Sequence, residues 1–213
     1  MTAAHRPVAA RQGDLFADAD SRERLAAAGG TQPPPLLLRH QLLNWQERLA
    51  AHQGPLFCGG SGGGAQIGLF GIDPSADPQA RAASLAPLSL QPQSLSFWRW
   101  PEPPQQGAAI YLVTDRPAAG NSALLLYIGE TGRADRRWKG DHDCKRYLAA
   151  YGEALQRCDL VPALSIRFWS DVPVAIRPRR ALEQALIRRW LPPFNKETRE
   201  RWATPFTADP DGC

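Results

Sequence analysis

The chain has 213 residues, 43% of them apolar, which gives room for one well-packed domain plus an appendage. No stretch approaches a membrane-spanning run and the opening residues, MTAAHRPVAARQGDLF, have no apolar core of signal-peptide length, so a cytoplasmic location is expected. The net charge of +4 is concentrated: residues 131–202 hold 16 Lys/Arg against 9 Asp/Glu, a bias that favours a polyanion, with nucleic acid the commonest.

Cys58, Cys144, Cys158 and Cys213 are scattered without a C-x-x-C pair, so neither a zinc ribbon nor a disulfide framework has support. Residues 1–35 are rich in Ala, Gly, Pro and charge, end in the linker-like GGTQPPP, and read as a disordered tail. Residues 36–51 place Leu38, Leu42, Trp45 and Leu49 three and four apart, predicting an amphipathic helix. CGGSGGGAQIGLFG (58–71) lacks the Lys-Ser/Thr ending of a phosphate loop and reads as a flexible loop. Residues 72–107, dense in Pro, Ser and Ala around FWRWP, are expected to wrap the following domain, so that 36–107 form a partly irregular N-terminal extension.

AAIYLVTD (108–115) and ALLLYIGE (123–130) read as two strands of a hairpin, joined by a loop containing Pro117, Gly120 and Asn121. Gly129 is expected to end the second strand in a turn and Thr131 to cap a helix carrying Arg133, Arg136, Arg137 and Lys139. Before Asp141 the only acid among these cations is Asp135, so the face suits a phosphate as well as it suits solvent. A helix over 144–158, a strand over 163–170 and a helix over 179–191, ended by Pro192 and Pro193, complete the pattern. The expected class is α/β: a small mixed, mainly antiparallel sheet flanked by helices, over residues 108–205, with 206–213 a tail.

AIY at 109–111, YIG at 127–129, an Arg ten residues past the second Tyr, a helical Glu and a later Asn together resemble the GIY-YIG nuclease family over residues 108–196. Ala109 stands where the first motif has glycine, and the segment between the two tyrosines is longer than usual for the family. The resemblance implies a metal-dependent DNA endonuclease with Tyr111, Tyr127, Arg137, His142 and Glu183 as catalytic residues. Glu183 would hold a single Mg²⁺ or Mn²⁺. Arg133, Arg136, Lys139, Lys145, Arg188 and Asn195 are the candidate DNA contacts.

The residue types suit that chemistry. Phosphodiester hydrolysis needs a deprotonated nucleophile, charge stabilisation on phosphoryl oxygens and help for the leaving alkoxide. A phenol is a poor base near pH 7, so Tyr111 would need cations nearby, which Arg137 offers. Outside the motif, Tyr111 and Tyr127 read as strand aromatics filling a core, Asn195 as a helix terminator, and His142 as a partner of Asp141 or Asp143. The alternative function is a DNA-binding module that does not cut.

QGDLF at 12–16 resembles the short peptide with which bacterial proteins dock on the DNA-polymerase sliding clamp. Leu15 and Phe16 would fill an apolar pocket, Gln12 and Asp14 would make polar contacts, and the tail would tether the chain to DNA.

Overall fold

The computed structural model describes residues 37, 39–59, 77–96, 105–117, 122–137 and 143–206. The QGDLF peptide, Leu38, most of the glycine-rich loop, FWRWP, Lys139 and His142 lie outside them. Three strands, β1 (Ala109–Asp115), β2 (Leu124–Thr131) and β3 (Ser165–Trp169), form an antiparallel sheet in the order β2-β1-β3. Helices α1 (Arg39–Phe57), α2 (Pro78–Ser84), α3 (Asp143–Arg157), α4 (Ile176–Trp190) and α5 (Arg199–Trp202) flank it. The result is a small mixed α/β fold.

β1 is central and every one of its residues is buried, which explains its near-continuous apolar run. Ile110 and Leu112 pack in one core cluster with Leu182, Leu186 and Trp190 of α4 and Ala82 of α2. Tyr111 lies between them and points to the opposite face. The β1–β2 register contains a bulge: Val113 pairs with Tyr127 and Thr114 with Leu125, leaving Leu126 as the extra residue. That residue changes the parity of β2, so Leu125 and Ile128, three apart, both reach the α4 cluster. Tyr127 and Gly129 are thereby turned toward the Tyr111 face.

Side chains close the outer edge of β2. Gln53 of α1 exchanges two hydrogen bonds with Leu125, accepting from its N–H at 2.8 Å and donating to its carbonyl at 3.0 Å. The Phe194 N–H donates to the Leu126 carbonyl, and Asn195 exchanges two bonds with Ile128. Glu183 accepts from the Glu130 N–H at 2.9 Å. A strand edge left open would present unpaired backbone groups, and here polar side chains supply what a fourth strand would.

The elements depart from expectation where tertiary contacts outweigh local signals. α1 runs through Pro55 to Phe57 because Leu56 and Phe57 pack on the α4 cluster. α2 falls within a segment expected to be irregular. Its start is fixed by Asp77, whose carboxylate accepts from the Gln79 and Ala80 N–H groups at 3.1 Å, followed by Pro78 in the first turn. Gly129 does not turn the chain: it lies inside β2, opposite Tyr111. Thr131 ends β2, and its hydroxyl accepts from the Arg133 N–H at 3.0 Å. Residues 134–137 form a turn closed by the Arg137 N–H on the Arg133 carbonyl. Among the described residues no helix is long and apolar enough to cross a membrane.

Candidate functional site

The sheet register brings the two motif tyrosines together. Tyr111 is paired with Gly129, two residues along each strand from the Val113–Tyr127 pair and on the same face, and the Tyr111 and Tyr127 rings stack with centroids 5.9 Å apart. Gly129 is required by this arrangement: a Cβ built there would lie 2.4 Å from both Cζ and the hydroxyl of Tyr111. The strand glycine serves close approach of a ring. Phe168 of β3 bounds the same ring at a centroid distance of 6.2 Å.

Arg137 reaches into this cluster from the turn after β2, its Nε donating to the Tyr111 hydroxyl at 3.2 Å. Residues 26 apart in sequence thus meet at one oxygen. Burial foremost, then the neighbouring Tyr127, push the Tyr111 phenol well above its ordinary range, and the Arg137 charge offsets this only in part. Burial likewise raises Tyr127, with Cys144 adding to the shift and a hydrogen bond to Tyr111 opposing it. Both phenols are protonated at neutral pH.

A second group lies along the β2 edge. Glu183 projects from α4 onto the Glu130 N–H, and burial, then the Glu130 charge, push its carboxyl up to about 7. The Glu130 carboxylate is itself held by Arg179 Nε at 2.7 Å and Arg180 Nε at 3.3 Å. Arg179 is buried and also donates to the Pro173 and Val174 carbonyls. Among the described residues no group of three or more His, Cys, Asp or Glu side chains forms a metal cage. The donor set offers an ion the single Glu183 carboxylate, which burial and then the Glu130 charge push up and the Arg180 charge restores only in part. The Glu130 oxygens are occupied by arginine.

Of the remaining expected residues, Arg133, Arg136 and Arg188 are exposed and Lys145 is half-buried on α3. Asn195 departs from its expected role as a DNA contact. It is buried, and its amide accepts from the Ile128 N–H at 2.9 Å and donates to the Ile128 carbonyl at 2.8 Å. Asn195→Ala strands both backbone groups, and is expected to cost about 2–4 kcal/mol in urea unfolding. Loss of DNA affinity at unchanged stability would contradict this assignment.

Two residues were not anticipated at the site, Glu130 and Arg179. Arg179 reads in sequence as one of a run of surface arginines, but it shares a helix face with Leu182 and Leu186, three and seven residues on, and that spacing marks it as buried. Compared with protein-family models, curated proteins and solved structures, the chain matches none.

Proposed function

We propose that the chain is a metal-dependent DNA endonuclease of the GIY-YIG kind. The observation that carries this reading is the cluster itself: Tyr111 seated over Gly129, Tyr127 stacked beside it and Arg137 on the Tyr111 hydroxyl. A core would be filled by any ring, but a guanidinium brought to a buried phenol from a basic turn has a use beyond packing. In this reading Arg137 presents its remaining N–H groups to two oxygens of the scissile phosphate. Tyr111, held as the neutral phenol, orients the attacking water through its hydroxyl, and the proton that this water loses passes to the His142 imidazole. A Mg²⁺ or Mn²⁺ ion at Glu183 would neutralise charge on the phosphate and on the departing oxygen. Arg133, Arg136 and Arg188, with Lys139 and Lys145, would hold the flanking backbone, and His142 would assist proton transfer. The QGDLF peptide, through Gln12, Asp14, Leu15 and Phe16, would tether the enzyme to a sliding clamp.

One observation favours a DNA-binding module that does not cut: Glu183 has a structural task, accepting the Glu130 N–H. Incubation with supercoiled plasmid and Mg²⁺ or Mn²⁺ separates the two readings, with nicked or linear product expected from the wild type. Arg137→Lys is expected to slow the reaction about a hundredfold, since one ammonium does not reproduce a planar fork on phosphate. Intact plasmid under all conditions, with DNA still bound, would establish the non-cutting module.

A further inference from the structure

The loop that leads into α4 exposes apolar side chains that no folding requirement explains. Val174 is 84% exposed and Ile176 56%, two residues apart, and among the described residues Val161 alone joins them as a large apolar side chain so exposed. The loop has a fixed shape. Buried Arg179 donates to the carbonyls of Pro173 and Val174, the Arg179 N–H donates to the Ala175 carbonyl, and the Val172 N–H donates to the Ser170 carbonyl. The guanidinium that fixes Glu130 therefore also fixes the protruding Val174 and Ile176.

The surroundings of this pair are cationic. The first turn of α4 has no acidic residue, and Arg177, Arg180 and Arg188 lie three and eight residues apart along its exposed side. The turn with Arg133 and Arg136 is adjacent, since a Cβ at Gly132 would lie 3.7 Å from Arg179 Nη2. Asp171, the one acid at the base of the loop, is engaged by Arg81 Nη2 at 3.3 Å. Two rigid apolar side chains set among arginines are suited to a polyanion that also offers an apolar interior, and duplex DNA offers stacked bases between two lines of phosphate.

We propose that Val174 and Ile176 enter the minor groove of bound DNA and wedge a base step open, with Arg177 and Arg180 holding the phosphates on either side. The finger kinks the duplex next to the site formed by Tyr111, Arg137 and Glu183, so deformable or already interrupted DNA is the preferred substrate. This inference rests on the DNA reading above.

The test uses the full chain in EDTA with a duplex of about 25 base pairs, end-labelled for energy transfer, both continuous and carrying a central nick. Wild-type protein is expected to shorten the end-to-end distance and to bind the nicked duplex about tenfold more tightly. Val174→Ser/Ile176→Ser should abolish the shortening and the preference while keeping the salt dependence of binding, and Arg177→Ala/Arg180→Ala should lower the salt slope by about two. Wild-type binding without shortening, or equal shortening by the double-Ser variant, overturns the wedge and leaves DNA binding standing. No binding to either duplex overturns the DNA reading and the wedge with it. A wild-type dimer in sedimentation that the double-Ser variant lacks assigns the pair to self-association and likewise overturns the wedge.

Discussion

Glu183→Gln is expected to stop DNA cleavage and, in the same protein, to raise stability above neutral pH. The carboxyl titrates at about 7 in the folded chain against an ordinary 4.5, because burial and the Glu130 charge disfavour its ionised form. Between these values the unfolded chain releases its proton while the folded chain keeps it, so stability falls as pH rises through the window and the cost is complete above pH 7. Glutamine keeps an oxygen for the Glu130 N–H but carries no charge. The variant should therefore match wild type below pH 4 and exceed it by about 1–2 kcal/mol at pH 8, a figure reduced for partial solvent access. Mg²⁺ or Mn²⁺ should raise the melting temperature of wild type at pH 8 and leave the variant unmoved, since an ion that binds only the folded carboxylate stabilises by mass action. Wild-type cleavage should climb as pH passes through 7. If the ion supplies about 4 kcal/mol to the transition state, the variant loses about a thousandfold in rate. Plasmid cleavage and thermal unfolding from pH 4 to 8.5 read both effects, and a variant that cuts at the wild-type rate removes Glu183 from the reaction.

The strands and long helices were legible because burial writes itself into period. Residues 109–113 are apolar throughout because β1 is covered on both faces, and Leu182, Leu186 and Trp190 recur along α4 because one side of that helix meets the sheet. The short α2 was obscured by its Pro, Ala and Ser content, yet Asp77-Pro78 is a cap followed by a first-turn proline. Side-chain closure of the β2 edge could not be read, since Gln53 and Asn195 meet the strand from 72 and 67 residues away and amides carry no periodic signature. The candidate site was partly legible for the same reason. Tyr111, Tyr127 and Arg137 stand in order along the chain, whereas the neutralisation of Glu130 by Arg179 depends on a helix packing against a strand edge.

Gly129→Ala tests whether the Tyr111 ring needs the space that a strand glycine leaves. Glycine within a strand sacrifices backbone entropy and side-chain packing, so its presence opposite Tyr111 calls for a compensating contact. The added methyl would stand 2.4 Å from Tyr111 Cζ and its hydroxyl and 2.9 Å from Cε1, and Tyr127 and Phe168 flank the ring. Either the ring leaves the Arg137 Nε or β2 shifts from β1. The expected cost is about 2–3 kcal/mol of stability from overpacking. Cleavage should fall about a hundredfold or more, because displacement of a positioned group by an ångström has effects of that order. The decisive measurement is a double-mutant cycle in urea unfolding. In a Tyr111→Leu background, where no ring lies over residue 129, the same Gly129→Ala change should cost less than about 1 kcal/mol and recover the strand propensity of alanine. Activity should stay absent, since the hydroxyl that Arg137 addresses is gone. An equal cost in both backgrounds would mean that Gly129 answers to the strand alone, and Tyr111 would then be a core aromatic whose meeting with Arg137 is incidental.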